Sequence, residues 1–219
     1  MKKLVIFDMD GTILDTLEDL KNSVNYALEQ SQMPLRTLEE VRNFVGNGIR
    51  KLIERAVPED TEEPQIEKVF ADFTAHYKVH CADTTKPYDG MQEVFDSLHR
   101  MGCKLAVVSN KADFAVQELC EIYFKNVFDI AVGAKEGVNK KPAPDAVYEV
   151  LHTLNVSKED SIYIGDSDVD VQTAKNAQID CIAVGWGFRS IPFLKEQGAE
   201  VIVCKTEELI SILCNSPMH

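Results

Sequence analysis

Six short runs rich in β-branched residues restrict the fold more than any other feature of this chain. They are 3–8 (KLVIFD), 103–108 (CKLAVV), 127–132 (VFDIAV), 161–165 (SIYIG), 180–184 (DCIAV) and 201–204 (VIVC). Most are apolar throughout rather than alternating. A strand of that kind is covered on both faces, which places it in a parallel sheet between two helical layers. Helix-like segments at 90–101, 111–123, 144–154, 169–177 and 206–214 separate the runs. This alternation predicts an α/β fold, a doubly wound, Rossmann-like parallel sheet with right-handed crossovers.

One interval breaks the rhythm. The stretch from 16 to 83 is far too long for a single crossover helix and contains no good strand. Thr16 with Asp19, and Thr37 with Glu40, have the spacing of N-terminal capping pairs. Leu20, Val24, Ala27 and Leu28 recur at helical spacing, as do Ile49, Leu52, Ile53 and Ala56. The acidic run 58–65 (PEDTEEPQ) reads as a solvated loop into a further helix over about 66–80. The expected organisation is therefore an α/β core of residues 1–15 and 84–219, with an all-helical insertion of residues 16–83. Lys86, Pro87 and Gly90 supply turn chemistry on the return path.

In an open parallel sheet, ligands bind beyond the carboxyl ends of the strands. The first run ends in Asp8-Met9-Asp10-Gly11-Thr12, the second in Ser109-Asn110-Lys111, and the fourth in Gly165-Asp166-Ser167-Asp168-Val169-Asp170. Lys140-Lys141-Pro142 precedes the fourth. Crowded carboxylates repel unless something neutralises them. A hard divalent cation with oxygen ligands does so, and Mg²⁺ usually takes one or two carboxylates plus a phosphate. Asp8 and Asp166 are the natural ligand pair. A carboxylate beside the metal, Asp8, can attack phosphorus and become an aspartyl-phosphate. Asp10 could protonate the leaving oxygen and later take a proton from water. Ser109, Asn110, Lys141 and Thr12 could hold phosphoryl oxygens.

Bulk properties narrow the partners. The 219 residues carry 23 Lys and Arg against 36 Asp and Glu, a formal net charge of −13. That balance argues against nucleic acid as a partner, since phosphate backbones need Lys and Arg, and an anionic substrate needs a locally positive site. Lys2-Lys3 precede an apolar run of four residues, too short for the core of a signal peptide. No stretch reaches membrane-spanning length. With no CxxC, and with Cys103, Cys181 and Cys204 in apolar runs, reduced core thiols in a cytoplasmic protein are expected. Oligomeric state stays open.

As a set, DMDGT, SN, KKP and GDSDVD resemble the haloacid dehalogenase superfamily, Mg²⁺-dependent phosphohydrolases with an aspartate nucleophile. The likeness spans about 1–214 and is greatest to the phosphoglycolate phosphatase-like branch, through FDMDGTILDTLEDL, VGNGIRKLIERAV and KLAVVSNK. It implies Asp8 as nucleophile, Asp10 as general acid and base, and Ser109 and Lys141 as phosphoryl binders. It further implies Mg²⁺ on Asp8, Asp166 and the Asp10 backbone carbonyl, with Asp170 in an outer shell and a helical cap directly after the first motif. Asp168 matches no required position. The implied activity is hydrolysis of a small phosphorylated metabolite, with 2-phosphoglycolate the best single candidate. A mutase similar to β-phosphoglucomutase, a nucleotidase and a pyrophosphatase on the same site remain open, although Thr12, where such mutases commonly carry Val, favours hydrolysis. A phosphorylated switch like the bacterial receiver domains also sets acids, a hydroxyl and a lysine at strand ends. Asp10 and the long insertion argue against it.

Two further features have paired readings. Gly46-Asn47-Gly48 is either a turn between helices or a substrate-facing loop, with Asn47, Gly48 and Arg50 as cap specificity groups and Arg50 meeting a carboxylate bidentately. Trp186, in GWGFR, either lines the site or fills core.

Overall fold

The computed structural model describes residues 2–215. In chain order the elements are β1 (Leu4–Phe7), β2 (Leu14–Asp15), α1 (Leu17–Gln30), α2 (Leu38–Phe44), α3 (Ile49–Ala56), α4 (Glu63–His80), β3 (Lys86–Pro87) and α5 (Met91–Arg100). There follow β4 (Lys104–Ala112), α6 (Asp113–Tyr123), β5 (Ile130–Ala134), α7 (Asp145–Leu154), β6 (Ser161–Gly165), α8 (Asp168–Ala177), β7 (Asp180–Val184), α9 (Ile191–Glu196), β8 (Ile202–Val203) and α10 (Thr206–Asn215). The chain divides into two compact units. One comprises the residues up to Leu14 with those from Pro87 onward; the other is Asp15–Lys86. Among the described residues no helix is long and apolar enough to cross a membrane.

The first unit is the expected doubly wound α/β fold. Its six strands run in the order β5-β4-β1-β6-β7-β8, each parallel to its neighbours. The strand order reverses direction beside β1, whose two neighbours are β4 and β6. A crevice opens at such a switch point, beyond the carboxyl ends. Period-two alternation explains why β1 is apolar throughout. Leu4 and Ile6 pack on one face with Val108, Val147, Val150 and Tyr163. Phe7 turns to the other, where it meets Phe95 edge-on at 5.4 Å in a cluster that includes Phe124 and Phe128. Each face thus has its own helical cover.

Strand and helix limits in this unit fall within a few residues of expectation. The third run begins pairing at Ile130 rather than Val127 because Phe128 joins the aromatic cluster. Asp129 meanwhile bonds the edge of β4: its N–H donates to Leu105 O, and its carboxylate accepts from Leu105 N, both at 2.8 Å. Cys103 is buried as expected, but Cys181 is only partly buried and Cys204 is exposed. The reason is position: β8 is a two-residue edge strand that stops before Cys204.

The second unit is helical. Thr37 and Glu40 form the expected capping box at the start of α2. The other expected pair does not cap. Thr16 makes no side-chain cap bond, and the Asp19 carboxylate, 2 % exposed, turns to the far end of the unit. There it accepts from Thr84 N at 3.0 Å, Thr84 Oγ1 at 2.5 Å and Thr85 N at 2.8 Å. The acidic loop is shorter than expected, since α4 begins at Glu63 with Pro64 in its first turn. Proline is well suited to that place, where the missing N–H would have no intrahelical partner. Gly46 and Gly48 lie between α2 and α3 with φ of +114° and +84°, values that side chains disfavour.

Candidate active site

The site begins where β1 runs out. Asp8 N still donates to Ile164 O of β6 at 2.8 Å, so the Asp8 backbone is fixed as a ninth-tenths-buried extension of the strand. The chain then turns. The Met9 carbonyl accepts from the amides of Thr12, Ile13 and Leu14 at 3.0–3.2 Å, and Gly11 takes φ +80°. A Cβ at Gly11 would sit 2.4 Å from Asp166 Oδ2, and one at Gly187 would sit 2.3 Å from Asp166 Cβ. The two glycines let the β1 and β7 loops close onto Asp166 from both sides. Gly165 does the same for Asp170, whose Cβ lies 2.3 Å from where a Gly165 side chain would start.

Asp8, Asp166 and Asp170 each bring a carboxylate oxygen within 4.8 Å of the others. Around them lies a connected polar set. Asp8 Oδ1 accepts from Met9 N at 2.7 Å and lies 3.0 Å from Lys141 Nζ; the Ser109 hydroxyl also donates to Asp8. Lys141 Nζ donates to Asp170 Oδ1 at 2.7 Å and to Tyr163 Oη at 2.9 Å. Tyr163 Oη in turn donates to Val108 O at 2.7 Å. Asp170 Oδ2 accepts from Ser167 Oγ at 2.6 Å and Ser167 N at 3.1 Å, the reciprocal half of a capping box at the start of α8. Asp166 accepts from Thr12 Oγ1 at 3.2 Å and Phe188 N at 2.7 Å. The Asp10 carboxylate accepts from Lys111 Nζ at 2.8 Å.

Charge is out of balance. Asp8, Asp10, Asp166 and Asp170 oppose Lys111 and Lys141, so four anionic groups against two cationic ones leave two negative charges. The strain appears in the acids. Burial, with Asp170 and Asp10 adding repulsion against the pull of Lys141, raises the Asp8 carboxyl to about 7. Burial, then Asp170 and Asp8, pushes Asp166 well above the usual carboxylate range. Lys141 goes the other way: burial works against its charge, but Asp170 and Asp8 prevail and hold it well above the ordinary lysine value. A site short of two positive charges and lined by hard oxygen donors fits a divalent cation such as Mg²⁺. Asp170 already spends its oxygens on Lys141 and Ser167, which leaves Asp8 and Asp166 as the carboxylates suited to direct ligation.

The structure brings Asp8, Asp10, Thr12, Ser109, Asn110, Lys141, Asp166 and Asp170 to one end of the sheet, but not all face it as expected. The Thr12 hydroxyl bonds Asp166, and the Asn110 amide donates to Lys141 O at 3.0 Å, holding the loop that carries the lysine. Trp186 is half-buried and donates from Nε1 to Thr12 O at 3.1 Å. Asp168, given no role, lies 3.6 Å from Arg189. In the helical unit the Arg50 guanidinium is paired with Glu54 at 2.8 Å and with Glu63 and Glu67, carboxylates of its own unit. Asn47 and Gly48 form the link into α3. Two participants were not foreseen, Lys111 and Tyr163. The first has a legible signal, because Ser109 and Lys111 are two apart on a strand, as are Asp8 and Asp10. The second is an ordinary apolar-run tyrosine until its neighbours are known.

Comparison with known proteins agrees with this geometry. Residues 5–184 match the family profile described as haloacid dehalogenase-like hydrolase. A phosphoglycolate phosphatase of Pseudomonas syringae pv. tomato is 32% identical over 210 residues, covering 92% of this chain and 76% of that protein. One of Colwellia psychrerythraea is 31% identical over 194 residues, covering 85% and 86%. Among solved structures, a protein of Lactobacillus delbrueckii subsp. bulgaricus assigned as a phosphoglycolate phosphatase superposes with a TM-score of 0.92. It is 41% identical, covering 96% of this chain and 98% of its own. With the profile matched over most of the chain and phosphatases among its relatives above 30% identity, this chain belongs to the haloacid dehalogenase-like hydrolases, among their phosphatases.

Proposed function

We propose that this protein is a Mg²⁺-dependent phosphomonoesterase that works through an aspartyl-phosphate on Asp8, with 2-phosphoglycolate as substrate. One observation carries the mechanism: a buried carboxylate, Asp8, ends β1 with a lysine, a hydroxyl and a backbone N–H gathered on it. The substrate rests on the names of the relatives, phosphoglycolate phosphatases at about 30% identity.

Asp8, Asp166 and the backbone carbonyl of Asp10 would hold the ion. Bound there, Mg²⁺ supplies Lewis-acid polarisation of a phosphoryl oxygen and cancels the excess negative charge of the site. A carboxylate oxygen of Asp8 attacks phosphorus; the new O–P bond forms as the bond to the leaving oxygen breaks. Asp10 delivers the proton that the leaving oxygen needs. Water then attacks the phosphorus, Asp10 takes its proton, and the bond to Asp8 breaks to release phosphate. Ser109 and Lys141 hold phosphoryl oxygens through both steps, and Lys141 offsets the charge that gathers on them. Asp170 keeps Lys141 aimed. The helical insertion, residues 16–83, corresponds to the family's cap.

The test is a panel of phosphate monoesters with Mg²⁺ and with chelator. Turnover should require the metal, favour 2-phosphoglycolate, and vanish in Asp8→Asn, since an amide is a poor nucleophile. Quenching in mid-turnover should leave Asp8 carrying phosphate by peptide mass. Undiminished turnover in chelator, or full activity in Asp8→Asn, would refute the mechanism; preference for a sugar phosphate would refute the substrate alone.

A further inference from the structure

Lys111 has no task in that mechanism, yet its side chain is only 2 % exposed and its Nζ lies 2.8 Å from Asp10 Oδ1. We propose that Lys111 is a positioning residue for the proton-transferring carboxyl of Asp10, an inference that rests on the phosphomonoesterase reading above. An ammonium sunk this far is tolerated only against a fixed, hydrogen-bonded partner. Strand order brings the two together. β1 and β4 are parallel neighbours, with Asp8 and Asp10 just past the end of one and Ser109 and Lys111 in the last residues of the other. Residues two apart on extended chain share a side. Ser109 accordingly meets Asp8, and Lys111 meets Asp10. The register of β4 against β5 shifts between Val108 and Ala112, the kind of irregularity that re-aims side chains beside active sites.

The consequence is mechanical. Asp10 must hand a proton to one oxygen and later collect one from water at nearly the same place. The terminal torsion of an aspartate is broad and two-fold, so an untethered carboxyl spreads its oxygens over many positions. A charge-assisted bond on Oδ1 sets the plane of the carboxyl and with it the second oxygen. Misplacement of a reacting group by 1 Å can cost about 10²-fold in rate.

Two esters of similar shape separate this role from others. The leaving group of p-nitrophenyl phosphate departs with little need of a proton, whereas that of phenyl phosphate needs one. In the Mg²⁺-loaded protein, Lys111→Met should lower kcat/KM for phenyl phosphate by about tenfold or more and for p-nitrophenyl phosphate by less than about threefold. Repeated in Asp10→Asn, the same change should leave the ratio of the two esters unaltered. Lys111→Gln, which keeps a neutral donor for Oδ1, is read by the same ratio if the Met variant does not fold. Equal losses on both esters would overturn the proposal, because a lysine that binds substrate or merely supports the fold acts on both alike. Wild-type protein inert towards both would overturn the phosphatase reading itself, and the role of Lys111 with it.

Discussion

Tyr163→Phe removes one oxygen atom from the centre of the sheet and tests how Lys141 is held. The three protons of the Lys141 ammonium face three acceptors: Asp8 Oδ1 at 3.0 Å, Asp170 Oδ1 at 2.7 Å and Tyr163 Oη at 2.9 Å. The hydroxyl also donates to Val108 O at 2.7 Å. Tyr163 and Val108 are fully buried, so water cannot take the place of the lost oxygen. Losing a bond from a charged donor costs about 2 kcal/mol and losing a neutral one about 1, for a total near 3 kcal/mol. For a chain of this size that is a fall in thermal midpoint of about 6–12 °C. Differential scanning calorimetry of the two proteins measures it. Repeating the substitution in Lys141→Met isolates the pair: with the ammonium gone, only the Val108 bond remains to be lost, and the cost should fall to about 1 kcal/mol. A change below about 1 kcal/mol in the native background, or the same cost in both backgrounds, would refute the view that Tyr163 carries part of the lysine's charge.

Two further outcomes follow from the charges. In metal-free protein the Asp8 carboxyl is raised to about 7 by burial, with Asp170 and Asp10 adding repulsion, so between about pH 4 and that value the folded state keeps a proton that the unfolded chain has lost. The Asp8 contribution to stability should therefore fall as pH rises from about 4 to about 7, and Mg²⁺ should restore stability at about pH 8; thermal scans in chelator and in Mg²⁺ check both, and a profile flat over that window in chelator would contradict the charge imbalance. Asp19 has the opposite sign: burial works to raise its pKa, but the bonds from Thr84 and Thr85 outweigh this and hold it below the ordinary value. Its contribution is intact above about pH 4 and disappears as pH falls further, so Asp19→Asn should cost about 2–3 kcal/mol in urea unfolding at neutral pH and progressively less in acid.

The sheet was readable because β1, β4 and β6 are covered on both faces, and continuous apolar runs leave little choice of partner. Helix starts were readable where the capping group acts locally, as at Thr37. At Thr16 the helix does begin, but the cap bond is replaced by distant donors: Asp19 stands three residues from Thr16, and its partners are 65 and 66 residues on. The acids of the site showed themselves because carboxylates crowded at strand ends have few uses. The second layer hid for the opposite reason. Thr12, Asn110 and Tyr163 are ordinary residues whose bonds cross 154, 31 and 55 positions, and no window of sequence spans those. Arg50 divides the same way: Glu54 is one helical turn ahead of it, while Glu63 and Glu67 come from the next helix.

The chain has a single tryptophan, and it is Trp186, whose indole N–H is fastened to the carbonyl of Thr12. Its emission therefore reports on the loop that follows the first strand. The unit that carries the sheet can thus be followed through an intrinsic probe that needs no label.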